Sequence, residues 1–254
     1  MHLRGWVWRG TVSALALLAG AASAGAQTGA QTQGESRIVL DFGVGLDFSI
    51  NGNVNSGAIG TLEGQAAAIL PNSYGDVYGS GIQLRFGGGY ALDEWSELRG
   101  IFTYQSADAD LVRLGDVGPS SLYGQYSDYR VISLDFGYRR YFPISTRDLR
   151  VYGEATIGGA FLNSINVVLA APQANLVVDQ TDFYDDTAAF TWSVGAGLLL
   201  RVTELVDLNA QIGVRHVSGL SEVDQLVGTG LEEINNDTGR LTFPIVVGVR
   251  FHFK

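Results

Sequence analysis

Arginines and carboxylates recur in this sequence at alternate positions inside otherwise apolar stretches. Asp41, Asp47, Arg85, Glu97, Arg99, Asp135, Arg139, Arg150, Glu154, Arg201, Asp207, Arg215 and Arg250 all sit this way. Lys254 is the only lysine, so the other bases are guanidinium groups. An arginine fork gives a carboxylate two parallel hydrogen bonds and keeps its charge at any ordinary pH. Facing one another in a space closed to water, such residues form ion pairs, because a lone buried ion is strongly disfavoured. The same residue types could line a gated pore or a proton path.

A second set lies outside these stretches. Asp179, Asp182, Asp185 and Asp186 cluster as carboxylates that suit a hard divalent cation such as Ca²⁺ or Mg²⁺, although their spacing is not that of an EF-hand. No cofactor other than such a cation is called for. There is no cysteine, so disulfides and thiolate metal sites are excluded. His2 lies in the N-terminal segment and His252 shares a face with Arg250. That leaves His216, near Ser218, Ser221, Glu222 and Asp224, as the candidate general base. Sequence neighbours around one histidine do not compose a nucleophile, base and orienting group, so no enzyme is expected. The net charge of −10, without a basic patch, argues against nucleic-acid binding.

What positions the alternating charges is a set of strands. From Arg240 to Lys254, Leu241, Phe243, Ile245, Val247, Val249, Phe251 and Phe253 fall at every second position. That run is long for a soluble strand and suits one crossing a bilayer at a tilt, which takes about 9–11 residues. Seven more runs repeat the pattern: Arg37–Ile50, Tyr78–Leu92, Glu97–Ser106, Tyr126–Phe142, a run from Leu149, one ending at Arg201, and one from Val206 to Arg215. Short connections at Asp93–Ser96, Pro143–Asp148 and Val202–Glu204 alternate with long ones at 51–77, 107–125, 163–186 and 218–238.

The pattern predicts an all-β protein: an eight-stranded antiparallel up-and-down transmembrane β-barrel with short periplasmic turns and four long extracellular loops. A sheet in lipid must close, since an open edge leaves backbone groups unpaired. A soluble barrel would turn its apolar face inward; here the opposite face carries the charges, so the apolar face is the outer one. The charged residues named first then fill the lumen, which eight strands make just wide enough for side chains. Glycines on the same face, among them Gly43, Gly87, Gly89, Gly158, Gly197 and Gly248, make room for them. Pro244 lacks a donor, which predicts a bulge or loosened pairing. Aromatic girdles are expected from Tyr90, Trp95, Tyr138 and Phe253 at one interface and Tyr78, Tyr104, Phe161, Phe190 and Trp192 at the other.

Residues 1–26 have the three regions of a secretory signal peptide: Arg4 and Arg9, the apolar run Thr11–Gly20, and a small-residue site for cleavage near Ala24 or Ala26. Residues 27–36 read as a flexible periplasmic lead-in and 37–254 as the barrel domain. The expected location is the outer membrane of a Gram-negative-type bacterium, reached by Sec export. The four loops carry acids from Glu63 to Asp237 against Arg113 alone. In the third, the outward parity of strand five continues through Ile165, Val167 and Leu169. Leu176 and Val178 resume the outward parity of strand six beyond Ala171–Asn175, which predicts a projecting hairpin.

On these strands and connections the chain resembles the small eight-stranded outer-membrane barrels, the group of the OmpA transmembrane domain, OmpX, OmpW and the opacity proteins. The resemblance covers the chain from about Arg37 to Phe253. Such proteins end in a signal for the barrel-assembly machinery, and Gly248, Phe251 and Phe253 match its glycine and two aromatics, while Val246 stands at its polar position and Lys254 follows its usual end. The resemblance implies outer-membrane lipid and lipopolysaccharide as surroundings. It also implies either a surface-interaction barrel with a plugged lumen, binding an external protein through the edge of loop three, or an OmpW-like use. In the latter, Ala66–Leu70 and Val167–Ala171 would guide a small hydrophobic molecule into the wall, or a narrow gated pore would conduct.

Overall fold

The structure, a computed structural model, describes residues 37–144, 148–223, 230–232, 234–235 and 238–253. The expected signal peptide and lead-in lie outside these residues, as do Asp224, Glu233, Asp237, Lys254 and the side chain of Asp179. In chain order, β1 (Ile38–Asn51) is followed by β2 (Asn53–Asn55), β3 (Ala58–Leu62), β4 (Gln65–Ile69), β5 (Asn72–Ser73) and the short helix α1 (Tyr74–Tyr78). Next come β6 (Ser80–Asp93), β7 (Ser96–Ala107), β8 (Leu111–Val117), β9 (Ser120–Tyr126), β10 (Tyr129–Phe142) and β11 (Leu149–Leu162). The chain continues with β12 (Ile165–Ala171), β13 (Leu176–Asp185), β14 (Thr187–Arg201), β15 (Val206–Val217), β16 (Ser221–Glu222) and β17 (Arg240–His252).

Eight long strands close into an antiparallel barrel in the order β1-β17-β15-β14-β11-β10-β7-β6. The first and last strands pair from Val39–His252 to Asn51–Leu241, so no edge is left in the wall. Alternation then sorts the side chains. Phe42, Leu84, Phe86, Phe136, Val194 and Val247 are exposed on the outside, whereas Asp47, Arg139, Thr191 and Arg250 are buried inside. Such an outer wall is stable in hydrocarbon and not in water. Among the described residues no helix is long and apolar enough to cross a membrane.

The glycines stand where side chains or backbones press close. A Cβ at Gly89 would come 2.0 Å from Oε1 of Glu97, and one at Gly158 would come 2.5 Å from Oδ1 of Asp135. At Pro244 there is no bulge, but pairing of β15 with β17 is interrupted between Ile212–Ile245 and Arg215–Thr242.

The long connections depart from their expected form. Pieces of three loops, with β16 from the fourth, make one seven-stranded sheet in the order β16-β13-β12-β9-β8-β4-β3. It encloses a core of its own, including Val54, Leu114, Val117, Leu122, Ile165 and Tyr184. We call this structure the cap. The hairpin β12–β13 forms, turning through a 3₁₀ segment at Pro172–Ala174 with Asn175 left-handed at φ 51. Its inner and outer faces, however, are the reverse of the sequence expectation. Ile165, Val167 and Leu169 are buried in the cap core, and Leu176 and Val178 pack against it. The strand breaks at Asn163–Ser164, and the register shifts within β12–β13; each such irregularity resets the parity. The hairpin does not project alone either, because β12 is also paired to β9.

Strands two and four begin later than expected. Tyr78 ends α1 and Tyr126 belongs to β9. Tyr78 is thus a buried cap residue, its ring 5.6 Å from that of Tyr129, and not part of a girdle. Trp95 likewise turns inward, packing against Tyr141, Tyr152 and Leu199 at the short-turn mouth.

Candidate functional site

Because one face of every barrel strand points inward, the thirteen charged residues read from the sequence meet in the bore, together with Arg240 and His252. At the short-turn mouth, Asp207 accepts from Arg150 (3.0 Å) and lies 2.8 Å from Nε2 of His252 and 3.9 Å from Nε of Arg201. Arg150 and Arg201 are partly exposed there, and Arg150 stands 5.1 Å over the Tyr141 ring.

The next layer joins four charges. Arg250 donates to Asp41 (2.9 Å) and Glu97 (2.9 and 3.0 Å), and Arg99 donates to Glu97 (2.8 Å) and to Asp41. Tyr141 adds its hydroxyl to Glu97 at 2.7 Å. Two arginines facing two acids leave this layer neutral, which is how buried ions are tolerated. Glu154 forms the layer above. It accepts from Arg139 Nε (3.0 Å) and Nη2 (2.7 Å), from Gln211 (3.2 Å) and from Arg85. The Arg139 guanidinium also lies 3.8 Å over the Tyr152 ring, a cation–π contact in a dry setting.

Toward the long-loop end the charges thin out. Asp135 is met by hydroxyls, from Ser133 at 2.9 Å and from Thr191. Arg215 donates to Ser133 (2.8 Å) and Gln105 (3.5 Å). Asp47 accepts from Gln105 and lies 4.0 Å from Arg240. Arg240 was missing from the set read in the sequence, although its parity on the last strand marks it as inward. It donates to Ser49 at 2.9 and 3.1 Å and lies 4.3 Å over the ring of Tyr129. Above it, Tyr74, Tyr78 and Tyr129 lead directly into the cap core. A cavity of about 30 Å³ opens beside Arg85, Gln211, Arg215 and Pro244, room for a water molecule or two.

The cap acids are not gathered. Among the described residues no three His, Asp or Glu side chains stand where they could hold a metal ion. Asp182 and Asp185 are exposed on β13, at registers opposite Asn166 and Ser221, and Asp186 accepts from the Ser164 N–H at 2.5 Å. Asp76 closes a capping box at the start of α1, and hydrogen bonds from the Ser73 hydroxyl and N–H hold its carboxyl below the usual range. Burial pushes the Tyr78 and Tyr126 phenols up, so both remain neutral. His216 stacks on Trp192 across β14 and β15 at 5.7 Å, while Ser218 accepts from the Phe190 N–H. Phe251 and Phe253 lie exposed on the outer wall, and Gly248 stands where a Cβ would meet the Phe42 carbonyl at 2.1 Å.

A family model described as outer membrane protein beta-barrel domain matches residues 12–251. Solved structures similar to this chain include the outer membrane protein OprG of Pseudomonas aeruginosa, at 12% identity, covering 88% of this chain and 99% of that one, with a TM-score of 0.47. Neisserial surface protein A is similar at 13% identity, 87% and 100% coverage and a TM-score of 0.44. Ail, the attachment invasion locus protein of Yersinia pestis, follows at 10%, 85% and 99%, and 0.37. No curated protein matches the sequence.

Proposed function

The chain belongs to the outer membrane protein beta-barrel domain family, and from that premise we propose that it is a closed outer-membrane barrel that acts through its cap and not through its bore. One observation supports this most: Arg139 and Arg250 are buried in ion pairs across the lumen, locked to Glu154, Asp41 and Glu97. An ion moving along the bore would have to displace those pairs, each costly to break when buried. The short turns then face the periplasm and the cap the outside, as in barrels of this architecture. Lipid and lipopolysaccharide surround the wall, and Gly248, Phe251 and Phe253 present the assembly signal. The N-terminal segment serves Sec export from a Gram-negative-type cell and is cleaved near Ala24 or Ala26.

A conduit for hydrophobic molecules has less support. Its guiding segments would be Ala66–Leu70 and Val167–Ala171, yet Ala67, Ile69, Val167, Leu169 and Ala171 are buried in the cap core. Ile69 and Leu169 border a cavity there, beside Leu114 and Phe183, of about 20 Å³. The test is conductance of the refolded protein in a planar bilayer. The expected trace is flat; discrete, large openings would sink the closed-barrel reading.

A further inference from the structure

The outer wall of the barrel ends in a polar row. Ser106 on β7 pairs with Arg130 on β10, whose carbonyl accepts from the Asn163 N–H, and Arg130 is held by Asp128 at 3.0 Å. Beyond this row the outward side of the cap carries exposed apolar residues again, with Gln125 and Arg113 among them. Val168 on β12 pairs with Gln125 on β9, which pairs with Leu111 on β8. The next row runs Val177, Ala170, Tyr123, Arg113. Val177 and Leu111 are 65% and 64% exposed and Val168 37%, while their neighbours Val112, Leu122 and Leu169 fill the core. Exposed apolar residues gathered on one face beyond this polar row mark contact with another molecule. Since β9 and β12 are paired on both sides, a partner must meet side chains and not add a strand.

Charge selects the occupant. Asp108 and Asp110 precede Leu111, Asp182 and Asp185 are exposed on β13, and Asp116 neutralises Arg113 with both oxygens at 2.8 Å. A second copy would bring like acids against these, and the phosphates of lipopolysaccharide would be repelled too. We propose that the Leu111–Tyr123–Val168–Val177 face is a docking surface for a protein whose contact is apolar at its centre and rich in lysine or arginine at its rim. This rests on the reading that the cap acts outward.

The test uses the full refolded protein in phosphatidylcholine nanodiscs and three labelled β-hairpin peptides, read by fluorescence anisotropy. The first has a Val/Tyr face and lysine edges, the second has glutamate for lysine, and the third has a Thr/Ser face. The first should bind, the other two at least about tenfold more weakly. A Leu111→Gln/Val168→Thr/Val177→Thr variant with an unchanged melting profile should lose about tenfold in affinity for the first. Absent binding, equal binding of the glutamate peptide, an unaffected variant, or self-association that the variant abolishes would each overturn the proposal. Conductance measured on the same samples separates the two readings: openings defeat the closed barrel, while silent bilayers with absent binding defeat only the docking surface.

Discussion

Glu154 is shared by Arg85, Arg139 and Gln211, with Arg99 Nε 3.5 Å away. Replacing it strands the buried guanidinium of Arg139. Glu154→Ala should therefore cost about 3–5 kcal/mol, read as a shifted denaturant midpoint for the refolded protein. Arg150→Ala, at the half-open mouth, should cost no more than ~1 kcal/mol, because Asp207 keeps His252 and Arg201. Equal losses in the two variants would mean that burial does not govern these pairs. In the cap, Asp76 gives a pH test. Its folded carboxyl is held below the ordinary 3.8 by Ser73, so the stabilisation is complete above that value and fades as pH falls through the lowered one. The stability gap between the native protein and Asp76→Asn should be constant from neutrality to about pH 4 and shrink below it. A gap that widened in acid would give the shift the opposite sign.

At the scale of elements, the barrel strands were legible because one face had to suit lipid, which forces strict alternation over a dozen residues or so. Inward positions such as Asp41, Glu97, Arg139 and Arg250 followed from parity alone. Their partners did not, since Glu154 meets Arg85 from a strand far off in sequence. The cap was less legible. Its strands are short, β4 is mostly alanine, and β4 pairs with β8 and β9 with β12 across separate loops, for which no local pattern exists. Breaks at Asn163–Ser164 and Ser127–Asp128 also reset the parity between barrel and cap. The expectation at Pro244 was that pairing would loosen, and the interrupted stretch is Gly213–Val214 opposite Phe243–Pro244. That stretch borders the small polar cavity. Of the Gly213 and Val214 amides, the one that points toward β17 should accordingly exchange faster than those of Ile212 and Arg215, while the other stays held by β14. Uniform protection along β15 would show the seam to be closed.

For the molecule as a whole, two different materials lie along the bore. Below are ion pairs that resist an ion by their cost of separation; above is a dry core, from Tyr129 through Leu122 and Ile165, that resists it by offering no polar partner. The two meet at Arg240, paired with Asp47 on one side and lying over Tyr129 on the other. Seals in series make a specific prediction, because opening one leaves the other intact. Replacing residues 165–185 by a short turn should leave planar bilayers silent, since Glu154, Arg139, Arg250 and Glu97 remain in place. An Arg85→Ala/Arg139→Ala/Glu154→Ala protein with its cap intact should be silent as well, removing Glu154 together with the two arginines it pairs so that no lone guanidinium is left buried. Only the combined variant, with the Asp41–Glu97–Arg99–Arg250 layer removed as well, should show small unitary openings, once each refolded protein is shown to keep its barrel by circular dichroism. Openings from the cap replacement alone would mean that the ion-pair layers leave a passage and that the cap is the sole gate.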